Sequence, residues 1–328
     1  MKFVQLATAL KEGLSPVYLI DGEEAYFREH AVDSIQKACN LTQPALNETR
    51  VEGDSLKGGL SAFVAGLNTL PFFDEKRLVR VYDFYPTEKE WASSLEPYCK
   101  NPCPSTVLLI VNGGSGKKQN AAALSRKGGV THVDCSRESE ETLSKWLFGV
   151  LKKRGLSADG DALTLMVRYC NLDAARMHRE TEKLALLLGE GGRLTRQVVE
   201  DNVAKDVEYK IYELTQAASR KNFSLFSEIL HDLMEKGYDE HAALSSLTSH
   251  YRTLYEITSM NGSDREVAAA LGMQPYAVQK SREAAARLGT ERVKELYGAL
   301  YTLSAGAKSG DYTKKGALFS AIAKIFFG

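Results

Sequence analysis

The sequence has no net charge: 42 Lys and Arg balance 42 Asp and Glu over 328 residues. A protein that coats nucleic acid through its overall field needs a marked basic excess, so that class is excluded, though a local basic patch within an assembly is not. Long apolar runs are absent as well, and without about eighteen consecutive apolar residues no membrane-spanning helix is expected. The five cysteines are odd in number and irregularly spaced, which argues against a disulfide framework and for a reducing cytoplasm. Cys99 and Cys103 lie four apart with no second pair or histidine beside them, and the six histidines show no H-E-x-x-H spacing, so no metal is expected. No G-x-S-x-G nucleophile turn occurs, and no catalytic constellation emerges. The opening Met1-Lys2-Phe3-Val4-Gln5 leads into a mixed polar stretch, and no signal peptide is expected.

A phosphate-binding loop is also missing where one would count. Val17-Tyr18-Leu19-Ile20 reads as a first strand, and the turn after it is Asp21-Gly22-Glu23-Glu24. Carboxylates there repel phosphate, whereas acidic residues suit the start of the following helix. The later Gly113-Gly114-Ser115-Gly116-Lys117-Lys118 places Val111 and Lys118 where G-x-x-x-x-G-K-[ST] requires a glycine and a hydroxyl. It reads as a basic surface loop. No bound cofactor and no ATP hydrolysis are expected of this chain.

What is present divides into two regimes. Up to Cys135, apolar runs alternate with helical patterns. Strands are expected at Val17–Ile20, Thr49–Glu52, Arg77–Tyr82, Thr106–Val111 and Val130–Val133, the fourth being the most apolar and therefore central. Helical spacing joins Phe27, Ala31, Ile35 and Ala38; then Leu60, Phe63, Val64 and Leu67; then Trp91, Leu95 and Tyr98. Such alternation predicts an α/β domain with a mostly parallel sheet. From Glu138 onward nearly every segment has the helical period. Its stripes include Leu143–Leu151, Met177–Leu188, Phe223–Leu233, Leu244–Tyr255 and Val293–Tyr301. The expected division is 1–137, 138–207 and 208–328, since the helical part is large for one bundle.

Two segments invite partners. Leu70-Pro71-Phe72-Phe73-Asp74 sets consecutive aromatics after a proline, a pattern that suits either a core or a rigid plug for a partner's apolar pocket. Lys308, Asp311, Tyr312, Lys314 and Lys315 set an aromatic among amines, either a solvated helix start or a base-stacking site.

Five motifs in order resemble the delta subunit of bacterial DNA polymerase III, and together they span nearly the whole chain. Val17 to Tyr26 is similar to that family's first strand and its G-x-E/D-x-x-L/F turn. Leu67 to Val79 resembles its "T-x-P-F-F…R-L-V" signature. Asn171-Leu172-Asp173 with Arg179 to Leu184 resembles "D-L…E-x-E-K-L", Leu194-Thr195 to Val203 its "I-T…V…N-V" sequel, and Gln274 to Lys280 its "H-P-Y-x-V-x-K". The chain departs from the family at Gly113 to Lys118, glycine-rich where "K-x-D-x-R" is frequent, and at Asp311 to Gly316, where "K-T-G" is common.

The resemblance implies a degenerate AAA+-like N-terminal domain, a helical lid and an all-α collar. It implies a subunit that binds and opens the beta sliding clamp without hydrolysing ATP, assembled with delta-prime and gamma/tau subunits around primed DNA. Leu70, Phe72 and Phe73 would be the clamp-binding element, and Tyr312, Lys314 and Lys315 a DNA contact. Three alternatives remain open at this stage. They are another AAA+ ATPase, an AAA+-derived helical scaffold, and the sister delta-prime subunit. The last usually keeps zinc cysteines and an S-R-C motif, whereas this chain has Cys135-Ser136-Arg137.

Overall fold

The computed structural model describes residues 1–113, 129–273 and 275–328, with the side chains of Pro275 and Tyr276 set aside. The Gly114–Lys118 part of the glycine-rich loop and the Gln274-Pro275-Tyr276 motif side chains fall outside that description. The chain forms two compact units, Met1–Val203 and Ala204–Gly328.

The first unit is built on a parallel sheet. Its strands are β1 (Val17–Gly22), β2 (Glu48–Glu52), β3 (Arg77–Tyr82), β4 (Thr106–Gly113) and β5 (Thr131–Asp134), in the order β2-β3-β4-β1-β5. β4 is the middle strand, and Thr106 to Asn112 are all buried, which is why it reads as an unbroken apolar run. β2 lies at the edge and is largely exposed; Glu48 on it pairs with Arg80 on β3 at 2.9 Å. Helices α1 (Phe3–Glu12), α2 (Ala25–Cys39), α3 (Pro44–Asn47) and α4 (Leu60–Gly66) lie among these strands. α5 (Glu88–Glu90) and α6 (Glu96–Lys100) flank a π turn, Trp91–Leu95. Phe27, Ala31 and Ile35 of α2 are buried as the spacing predicts. Ala38 is exposed, and Cys39 takes the inward position. Val32 is buried as well, so the inward face is centred near Ile35 and Ala38 falls at its margin.

The helical part of this unit comprises α7 (Glu140–Lys153), α8 (Gly160–Tyr169), α9 (Ala174–Leu188) and α10 (Arg196–Asn202). A short parallel ladder joins β6 (Ser157–Ala158) to β7 (Arg193–Leu194). Side-chain caps start several of these helices: Ser139 accepts from the Thr142 amide, Asp173 from Arg176 and Thr195 from Val198.

The second unit is helical among its described residues: α11 (Val207–Ser219), α12 (Phe223–Glu235), α13 (Glu240–Ser259), α14 (Asp264–Leu271), α15 (Pro275–Leu288), α16 (Thr290–Ser309) and α17 (Lys314–Phe326). Its core is laid along the two longest helices. Leu244, Leu247, Tyr251 and Leu254 of α13 meet Val293, Leu296 and Leu300 of α16, closed by Ala317, Leu318, Ala321 and Ile325 of α17. Phe223 and Tyr301, which share the expected stripes, lie at their margins and are exposed.

Candidate partner-binding site

The segment between α4 and β3 is held at both ends. The Thr106 hydroxyl donates to the Leu67 carbonyl at 2.8 Å, and Arg77 donates to the carbonyls of Gly66 and Thr69. In the middle, Asn47 reads the backbone of Phe72 from both sides. Its side-chain oxygen accepts from the Phe72 amide at 2.7 Å, and its side-chain nitrogen donates to the Phe72 carbonyl at 2.8 Å. Asn47 itself is buried.

Asp74 completes the brace. Its carboxylate accepts from the Thr42 hydroxyl (2.6 Å), the backbone amides of Thr42 (2.9 Å) and Gln43 (3.0 Å), and the Asn47 side chain (2.7 Å). The Thr42 hydroxyl and these amides pull the Asp74 carboxyl down to about 2, because each hydrogen bond favours the ionised form. On this backbone three large apolar side chains face solvent. Leu70 is 72% exposed, Phe72 59% and Phe73 91%. Phe73 also sits at φ 56°, the left-handed region that non-glycine residues rarely occupy. The core alternative for these rings is therefore not what the structure adopts. Large apolar side chains on a braced backbone can enter a pocket with little ordering cost.

The turn after β1 is closed rather than cradle-shaped. Gly22 has φ 137°, and a Cβ there would lie 2.1 Å from the Cys135 carbonyl carbon. The Cys135 amide donates to the Asp21 carbonyl at 2.6 Å, and the Glu24 amide donates to the Cys135 carbonyl at 3.0 Å. Asp21 engages His132 at 2.5 Å, and Arg28 donates to the Gly22 carbonyl. Burial raises the Glu24 carboxyl above its ordinary range. The Glu24 backbone amide in this turn is thus spent within the chain.

Elsewhere in this unit a cleft of about 830 Å³ opens between Tyr26 and His30 of α2, Trp146 and Arg154 beside α7, and His178 of α9. Tyr26 and His30 stack with centroids 3.8 Å apart. Burial, with His30 and Arg154 nearby, keeps the His178 imidazole below its usual value. Among the described residues, no cluster of three or more His, Cys, Asp or Glu could hold a metal ion. No helix among them is long and apolar enough to cross a membrane.

In the second unit Tyr312 is 48% exposed. One edge of its ring rests on Gly306 of α16, where a Cβ would meet the ring at 2.4 Å. Lys314 lies 3.6 Å from Asp239, and Lys315 stands over the Phe319 ring at 5.9 Å. The three residues expected as a DNA contact thus sit on one loop and helix start, and both lysines have neighbours within the fold.

Comparison with known proteins adds to this geometry. Residues 208–325 match the family model of the DNA polymerase III delta subunit, C-terminal domain. The DNA polymerase III subunit delta of Bacillus subtilis (strain 168) is 21% identical over 322 residues, covering 94% of this chain and 92% of that one. The likeness to DNA polymerase III delta subunits thus covers the C-terminal domain through the family model and nearly the whole chain through this relative. A solved structure of the Bacillus subtilis DNA clamp loader delta protein aligns over 99% of both chains, at 19% identity and a TM-score of 0.68. The fold, a parallel sheet followed by helices, is therefore shared with that protein.

Sequence reasoning singled out the rings, left core and plug both open, and missed the brace. Asn47 and Thr42 lie 25 and 32 residues from the atoms they hold, and nothing in the local sequence announces that pairing.

Proposed function

We propose that this chain binds and opens the ring-shaped beta sliding clamp through Leu70, Phe72 and Phe73. It would do so as the non-catalytic delta subunit of a clamp loader acting in the cytoplasm. The observation that carries the reading is the exposure of three large apolar side chains on a backbone fixed by Asn47 and Asp74. Filling a pocket with one such side chain supplies about 1.5–3 kcal/mol, so two adjacent rings can anchor a modest interface.

Opening follows from differential affinity. A ligand shifts an equilibrium only by binding one state better, so the braced loop must hold the open or strained ring more tightly than the closed one. ATP would be bound and hydrolysed by gamma/tau partners, in a hetero-pentamer with delta-prime, and not by this chain. The closed, carboxylate-bearing turn after β1 supports that division. Residues 138–207 would act as the lid and 208–328 as the oligomerising collar. Tyr312, with Lys314 and Lys315, would meet primed DNA in the assembled loader.

The test is titration of the full chain with its own organism's clamp, beside a Phe72→Ala/Phe73→Ala variant. Binding by the parent and its loss in the folded variant is the expected result. A folded parent chain that does not bind the clamp overturns the reading and leaves a helical scaffold of the same fold.

A further inference from the structure

The cleft of about 830 Å³ in the first unit shares no residue with the clamp-binding element, and its lining includes none of the turn Asp21–Glu24 after β1. Three half-buried rings line it: Phe3 of α1, Tyr26 of α2 and Trp146 of α7. The Tyr26 and Trp146 centroids lie 5.9 Å apart, with the planes at 77°. Rings that line a cleft and remain half-open offer flat apolar surface to a ligand.

Two imidazoles add hydrogen-bonding capacity. His30 Nδ1 donates to the Tyr26 carbonyl at 2.9 Å, which leaves Nε2 of the neutral ring an acceptor. His178 Nε2 lies 3.3 Å from the Glu182 carboxylate, and its Nδ1 is buried with no partner. Burial keeps the His178 imidazole below its usual value, so at pH 7 the ring is neutral and Nδ1 is a bare acceptor. A buried acceptor without a donor is costly, and a ligand N–H would satisfy it.

The charge of the lining is positive. Lys145, Lys153 and Arg154 belong to it and no carboxylate does. Glu141 pairs with Lys145 at 2.6 Å and Glu182 pairs with Arg154, while Lys153 has no ion-pair partner among the described residues. One unpaired and two shared cations suit a single phosphate. A magnesium-bound triphosphate would bring more negative charge and a metal that finds no carboxylate in the lining. An apolar segment of a partner would bury the cations and leave Nδ1 unmatched.

We propose that this cleft binds a free purine nucleoside monophosphate, its base against Tyr26 and Trp146, its amino edge on His30 and His178, and its phosphate at Lys153. A purine has the wide ring face and the N–H donors that these walls and imidazoles match. The ligand would tie α2 to α7 and α9.

The experiment is calorimetric titration of the full chain with adenosine and guanosine monophosphates, with ribose 5-phosphate and magnesium ATP beside them. The expected result is saturable binding of at least one purine monophosphate, no binding of ribose 5-phosphate, and much weaker binding of magnesium ATP. Lys153→Ala and His178→Phe each weaken the monophosphate about tenfold. The first alters an exposed side chain and the second keeps a ring in place, and an unchanged thermal midpoint shows that each is folded. Neither touches Leu70, Phe72 or Phe73, so clamp titration reports separately on the clamp reading. No binding of either monophosphate by the folded parent overturns the proposal. So does equally tight binding of ribose 5-phosphate or magnesium ATP, or an affinity that Lys153→Ala and His178→Phe leave unchanged.

Discussion

Phe73 holds a strained backbone angle while almost its whole ring faces solvent, an arrangement that costs free energy unless a partner recovers it. Phe73→Ala is expected to leave the thermal midpoint of the chain unchanged and to weaken clamp affinity roughly thirtyfold, measured by calorimetry. Asp74→Ala keeps both rings but releases Thr42, Gln43 and Asn47. It is expected to weaken the same affinity about fivefold and to speed hydrogen exchange at the Phe72 and Phe73 amides. Because the Asp74 carboxyl is held near 2 in the folded chain, its brace is complete above the ordinary carboxylate value of 3.8. It is lost only as pH falls towards 2, so clamp binding should show no pH dependence from this group near neutrality. A proline followed by two aromatics is conspicuous in the sequence, but that pattern suits a core as well as a plug, and only the fold shows the rings exposed. The brace was not, since hydrogen bonds from Asn47 depend on a three-dimensional approach that residue spacing does not encode.

At the level of elements, β1 and β4 follow from apolar runs and β3 from its alternation of charged and apolar residues, and the fully buried β4 was evident as the centre. Two kinds of element escaped. The mixed polar surface of α1 hid a helix with Leu6 as its buried residue, and the β6–β7 ladder is too short for any periodicity to show. The turn after β1 yields a sharp test. Gly22→Ala must place a Cβ against the Cys135 carbonyl at a φ that L-residues resist, costing about 2 kcal/mol or more. A fall of roughly 4–8 °C in the melting of the first unit is expected, with the second unit's transition unmoved. Gly306→Ala acts on the other unit. The new methyl group displaces the Tyr312 ring, and crosslinking of Tyr312 to DNA in an assembled loader should fall.

Over the whole molecule, two units with separate cores imply two unfolding transitions rather than one. The second unit carries its own pH signature. His250 of α13 meets the Ser219 hydroxyl at 2.6 Å, and burial pushes its imidazole down to about 4. An unfolded histidine takes up a proton near 6.5, whereas the folded one resists until about 4. The stability it permits is therefore full above pH 6.5 and is lost progressively as pH falls towards 4, by on the order of 2 kcal/mol. Urea midpoints of the second unit at pH 7.5 and 5 should differ accordingly, and His250→Gln should flatten that difference.

The measurement that bears most directly on this account is calorimetric titration of the full chain with its own sliding clamp, parent and Phe72→Ala/Phe73→Ala side by side. The account predicts saturable binding by the parent and none by the double variant at the same concentrations, with unchanged circular dichroism. Equal binding by both would place the clamp contact elsewhere on the chain and contradict the role assigned to the braced loop.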